Sequence, residues 1–125
     1  MYKPLITIAA VTLGMASLSA CSEKQGVSFS QDVHPILKTE CLECHAKGKE
    51  GHQKSGLSME TYAELMAGTT YGPVIEPGSA VSSTLVRLID HKADKSINMP
   101  HQKSKIPPDE IKIIKQWIDE GASNN

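Results

Sequence analysis

The stretch Glu40-Cys41-Leu42-Glu43-Cys44-His45-Ala46-Lys47-Gly48 decides how the chain reads. It holds two of the three cysteines in the sequence, with a histidine directly behind the second. On a helical turn, positions 41, 44 and 45 stand at i, i+3 and i+4, so their side chains project from one face. Two thiols and an imidazole on one face can hold a single group from one side. A redox-active disulfide, a zinc site and a covalently attached cofactor are the chemistries that use such a set.

A redox pair at Cys41 and Cys44 normally follows a β-strand, and no βαβ pattern is present. Zinc held by Cys41, Cys44 and two of His45, His52 and His91 would more usually draw a second paired set of ligands, which the sequence lacks. The pattern C-x-x-C-H is the attachment signature of c-type haem. Its two thiols bond to the two vinyl-derived carbons at a haem edge while the imidazole reaches the iron. Aromatic residues make up only 4% of the chain. Phe29, Tyr62, Tyr71 and Trp117 are the only such rings after the N-terminal stretch. A bulky apolar cofactor would supply the missing core volume.

The N-terminal stretch agrees with this, because c-type haem is attached outside the cytoplasm. Lys3 opens a thin positive region, and the 16 residues Leu5–Ala20 carry no charge. A span needs about 20 apolar residues, so residues 1–20 read as a signal peptide. Leu18-Ser19-Ala20-Cys21 resembles a bacterial lipobox, which makes Cys21 the lipid-bearing residue and accounts for the third cysteine. The alternative is an ordinary signal peptide with Cys21 a free thiol. Residues 21–27 then form a lipidated N-terminus and polar tether, and residues 28–125 one domain. The expected place is a cell-membrane lipoprotein facing the periplasm, and Ser22 leaves the outer membrane open as its destination.

At 125 residues and net charge −1, the chain has room for one small core and offers no broad basic field. Nucleic acid is therefore not an expected partner. Four helical segments are predicted, at about 30–40, 58–67, 80–91 and from Pro107-Pro108 to Gly121. Ser30, Ser58 and Ser82 or Ser83 are the predicted caps. Val33, Ile36 and Leu37 share a face of the first helix, and Ile111, Ile114, Trp117 and Ile118 share one of the last. The fold class is all-α, about four helices around one haem.

With His45 as one iron ligand, the other must come from elsewhere. Met99, His34, His52, His91 and His101 are all open on spacing alone. Met99 precedes Pro100 on a long polar loop, where function is common. A thioether ligand would raise the potential relative to a second histidine.

The run Phe29-Ser30-Gln31-Asp32-Val33-His34-Pro35-Ile36-Leu37, followed by Cys41-Leu42-Glu43-Cys44-His45, resembles the planctomycete-type cytochrome c family within the class I c-type cytochromes. Gly56-Leu57-Ser58-Met59, Pro77-Gly78-Ser79, Met99-Pro100 and Trp117-Ile118 extend the likeness over roughly residues 29–122. The resemblance implies haem attachment at Cys41 and Cys44, proximal ligation by His45 and distal ligation by Met99. It also implies that the first and last helices cross, and it places Tyr71, Ile75 and Pro77 at the haem pocket beside Pro73 and Gly78. Tyr71 would reach a propionate. His101 departs from the pattern, since a second proline is common there, and so keeps a rival ligand near the iron.

The expected function is that of a monohaem electron carrier with one haem c, not an enzyme. Its expected partners are redox proteins: other cytochromes, a dehydrogenase, or a terminal oxidase or reductase, with the membrane reached through the lipid. The alternative is a haem enzyme or sensor of peroxide, nitric oxide or carbon monoxide, in which Met99 is displaced. Lys47, Lys49 and Lys54, with Lys92, Lys95, Lys103 and Lys105, read either as a docking rim or as ordinary solvated loops.

Overall fold

A computed structural model describes residues 26–125. The expected signal peptide, the expected lipid-bearing Cys21 and most of the expected tether lie outside the described residues. Among the described residues there is no strand, only an isolated bridge between Thr69 and Gly72. A wide π-helical turn, Phe29–Val33, runs into α1 (His34–Glu40). Then come α2 (Leu42–His45), α3 (Glu50–Ser55), α4 (Tyr62–Ala67), α5 (Thr84–Ile89) and α6 (Pro108–Asp119). None of these helices is long and apolar enough to cross a membrane.

Among the described residues the α-helices number six where four were expected: α2 is the helical turn read from the motif spacing, and α3 is the element that periodicity missed. Its sequence, EGHQKS, buries no residue, so no apolar stripe marks it. It is held instead by a Lys54–Glu50 pair at 2.6 Å and by Gly56, whose φ of 77° lets the helix end in a left-handed turn. The caps also move. Ser28, not Ser30, caps the first turn by accepting from the Gln31 N–H. Ser58 lies before α4 and is buried, its hydroxyl donating to Glu64, while Thr61 accepts from the Glu64 N–H as the true cap. Ser83 occupies the N-cap position of α5 but makes no capping bond with its side chain; its hydroxyl instead accepts from the Glu76 N–H and donates to the Ser79 carbonyl, both at 2.9 Å.

The Phe29–Val33 turn packs on α6. Val33, Leu37, Leu65, Ile114, Trp117 and Ile118 are each at most 1% exposed. Burying each large side chain contributes about 1.5–3 kcal/mol. The Phe29 ring centre lies 5.3 Å from that of Tyr62, edge on, and 5.4 Å from that of Trp117. Polar ends of this cluster are satisfied: Trp117 Nε1 donates to the Ser123 carbonyl and the Tyr62 hydroxyl to that of Ala122, both at 2.9 Å. Asn125 closes the unit, since its side-chain oxygen accepts from the Phe29 N–H and its carbonyl from the Ser30 N–H.

At the other end of the core, Asp90 ends α5 and gathers Lys105 and Lys115 at 2.7 Å and Lys92 at 3.0 Å. One carboxylate thereby ties the long loop after α5 to α6. Hydrogen bonds from Lys105, Lys115 and Lys92 hold the Asp90 carboxyl well below the usual carboxylate range. A depressed pKa stabilises the fold above the unfolded-chain value of about 3.9 and stops doing so as the pH falls through the folded value. Asp90→Asn should therefore cost on the order of 2 kcal/mol in urea unfolding near neutral pH. The gap from wild type should narrow as the pH falls below about 4.

Candidate haem-binding site

The chain turns sharply at Cys41, whose φ of −122° separates α1 from α2. The Cys41 carbonyl then accepts from the N–H of Cys44 at 3.1 Å and of His45 at 2.9 Å, which closes the helical turn that the spacing predicts. Cys41, Cys44 and His45 all line one cavity of about 540 Å³. That lies within the roughly 300–1,000 Å³ of cofactor sites. Leu57, Val74, Leu85, Ile89 and Ile106 form its apolar walls, and Met99, Pro100 and His101 bring in the long loop.

His45 is 9% exposed, and its Nδ1 lies 3.2 Å from the Leu57 carbonyl. A carbonyl can only accept, so Nδ1 carries the proton and Nε2 keeps its lone pair. No partner among the described residues takes that Nε2. Burial lowers the pKa, the Leu57 bond works against this, and His52 adds a further lowering. A neutral imidazole with a free, oriented lone pair is what iron ligation requires. Close packing by α3 fixes the ring from the side: a Cβ on Gly51 would meet the Cys44 carbonyl oxygen at 2.8 Å and His45 Cε1 at 3.0 Å.

Cys41 and Cys44 are unbridged. Loss of solvent around its sulfur, with the charges of Glu40, Cys44 and Glu110 adding, pushes the Cys41 thiol up to about 12. Redox-active pairs depend on a stabilised thiolate, so this environment disfavours them. A neutral thioether suits it. The zinc reading also loses ground, because no group of three or more His, Cys, Asp or Glu among the described residues is placed to hold a metal ion.

Of the candidate distal ligands, Met99 and His101 line the cavity, whereas His34, His52 and His91 do not. His34 donates from Nε2 to the Glu60 carbonyl at 3.0 Å and stacks on Phe29. His52 accepts at Nδ1 from the Gly48 N–H at 3.3 Å. His91 donates from Nε2 to the carbonyl of Met99 itself, at 3.1 Å.

A family model described as Planctomycete cytochrome C matches residues 41–102, from the first motif cysteine to just past Met99 and His101. Residues 41–102 belong to the planctomycete cytochrome c family. The family implies covalently bound haem c and a haem-binding electron carrier. Among solved structures, a hydrazine synthase chain from Kuenenia stuttgartiensis contains a similar fold, with a TM-score of 0.51, 23% identity and 77% of this chain covered. This chain spans only 16% of that one. None of the curated proteins matches. The residues present fit the haem that the family implies: a cavity with aliphatic walls, two free thiols in its lining and an imidazole nitrogen without a partner among the described residues in the same space.

The cytochrome domain places other predicted residues differently. Tyr71 is 93% exposed at the tip of the Thr69–Gly72 turn and does not line the cavity. Ile75 is buried in the core and Pro77 is exposed, and neither they nor Pro73 and Gly78 reach the lining. Val74 does so instead. Val74 and Ile75 are both buried, but only Val74 borders the cavity, and Ile75 packs in the core. Sequence periodicity could not find Val74, because this segment belongs to no regular element.

Five of the seven loop lysines are ion-paired: Lys47 with Glu64, Lys54 with Glu50, Lys92 and Lys105 with Asp90, and Lys103 with Glu43. Glu43 and Lys103 both border the cavity, so this pair links α2 to the Met99 loop across its mouth. Such pairing leaves little net positive charge for a docking rim, and each exposed pair is worth only about 0–1 kcal/mol.

Gly51 is the residue that the motif does not announce. Gly51→Ala should lower stability by about 1–3 kcal/mol through overpacking against Cys44 and His45. Thermal unfolding of the haem-loaded protein would read this, and a melting temperature equal to wild type would contradict the close contact.

Proposed function

We propose that this chain is an exported, membrane-tethered monohaem c-type cytochrome that passes single electrons between redox proteins. The observation that carries the reading is the single cavity shared by Cys41, Cys44, His45 and Met99. Cys41 and Cys44 would attach one haem covalently, His45 would be its proximal ligand and Met99 its distal one. When bound, the haem iron supplies one-electron chemistry between its ferric and ferrous states. Only one C-x-x-C-H occurs in the sequence, and Cys21 is the sole other cysteine, which supports a single haem.

The chain's own contribution is placement and exclusion. His45 holds its lone pair in register through Leu57, the aliphatic walls limit water beside it, and Met99 offers a neutral thioether that would favour reduced iron. Were His45 and Met99 both to hold the iron, no substrate would need a place on it. Its partners would be other cytochromes, a dehydrogenase, or a terminal oxidase or reductase. The lipid on Cys21 would hold it to the periplasmic side of a membrane.

A second reading, in which Met99 is displaced by peroxide, nitric oxide or carbon monoxide, draws on the absence of any helix between α5 and α6. One set of measurements separates the two. The exported protein should be red, and its haem should survive acid-acetone extraction and be lost from a Cys41→Ala, Cys44→Ala variant. The ferric protein should show the weak far-red sulfur-to-iron charge-transfer band. Met99→Ala should abolish that band and lower the potential by on the order of 0.1 V, within the ~0.8 V range that axial ligands command. An unchanged spectrum would remove Met99 from the iron. Separately, Cys21→Ala should move the protein from the membrane to the soluble fraction, and a wild-type protein found soluble would end the lipid assignment.

A further inference from the structure

His91 sits at a position that the backbone would give to glycine. It follows the cap of α5 with a φ of 55°, in the left-handed region. The Lys92 N–H donates to the Arg87 carbonyl at 3.0 Å and the His91 N–H to the Leu88 carbonyl at 3.2 Å. These bonds form the helix-ending motif whose left-handed residue is usually glycine, because a Cβ there is strained. A histidine in that place calls for a role for its ring.

The ring's contact supplies one. His91 Nε2 donates to the Met99 carbonyl at 3.1 Å, and the Met99 N–H donates to the Leu88 carbonyl at 3.1 Å. Both polar groups of the Met99 backbone are therefore anchored to the end of α5, eight and eleven residues back along the chain. Met99 lies in a stretch without regular structure, so few other bonds fix where its side chain enters the cavity. Pro100 beyond it has no N–H to contribute.

We propose that His91 is a positioning residue: its bond to the Met99 carbonyl keeps the thioether on the iron and slows its replacement by other ligands. The inference rests on Met99 being the distal ligand, as proposed above. An outside ligand can bind only after the iron–sulfur bond breaks, so its rate of entry measures how firmly Met99 is held. No oxidation change is involved: in the ferric protein an iron–sulfur bond is exchanged for an iron–carbon bond to cyanide.

The test uses the full-length ferric holoprotein, potassium cyanide and three variants. His91→Gly suits the left-handed backbone but lacks the donor. His91→Asn also tolerates that backbone, and its amide is one bond too short. His91→Gln places an amide nitrogen as many bonds from Cβ as Nε2. The bond is worth roughly 1 kcal/mol net, so saturating cyanide should bind about five- to tenfold faster to the Gly and Asn variants. Their far-red band should weaken, while the Gly variant melts no lower than wild type. Gln should return the rate toward wild type. Rates within about twofold of wild type for both Gly and Asn, with the band intact in all, overturn the clamp while leaving Met99 as ligand. A wild-type protein with no far-red band overturns the ligand reading and the clamp with it.

Discussion

A proton on Nδ1 of His45, held by the Leu57 carbonyl at 3.2 Å, decides what the other ring nitrogen can do. Without that acceptor the buried ring could take either tautomer and rotate. With it, Nε2 is left as a directed lone pair in an apolar space. Much of the local structure serves this one bond. The α2 turn carries the ring in, the Met59 N–H donates to the His45 carbonyl from just past Leu57, and α3 closes over the ring edge with a glycine. Shape and polarity then agree. Aliphatic side chains form the walls beside the imidazole, and burial favours its neutral form.

The parts legible in the sequence were those governed by local rules. The motif spacing, read as a helical turn, is one. Another is α6, where Pro107-Pro108, acidic residues in the first turn and an apolar period all point the same way. The first helix read well along its buried face, although its opening turn is wider than the usual helix, so the cap shifted from Ser30 to Ser28. What stayed hidden depends on tertiary contact. The helix α3 has no apolar face to detect, and its purpose is visible only beside His45. Tyr71, Ile75 and Pro77 were placed by family likeness, and in a segment without regular structure a shift of one residue exchanges wall for core. His91 looked like a rival ligand and is instead bonded to the backbone of the residue it seemed to compete with.

Charge illustrates the same limit. A run of lysines in sequence suggests a positive surface, but it says nothing of the carboxylates that folding brings to them. Asp90 draws in three amines from two different segments, and Glu43 meets Lys103 from the far side of the cavity. The cations serve first to hold loops in place.

The bonds between Asn125 and the Phe29 turn bring residues 28–30 and 125 side by side. None of these residues lines the cavity. A chain can therefore enter and leave this fold at one pole without disturbing the site, and units whose ends meet are readily spliced into longer proteins. The fold's recurrence as one part of the much larger hydrazine synthase chain fits a unit built to be portable.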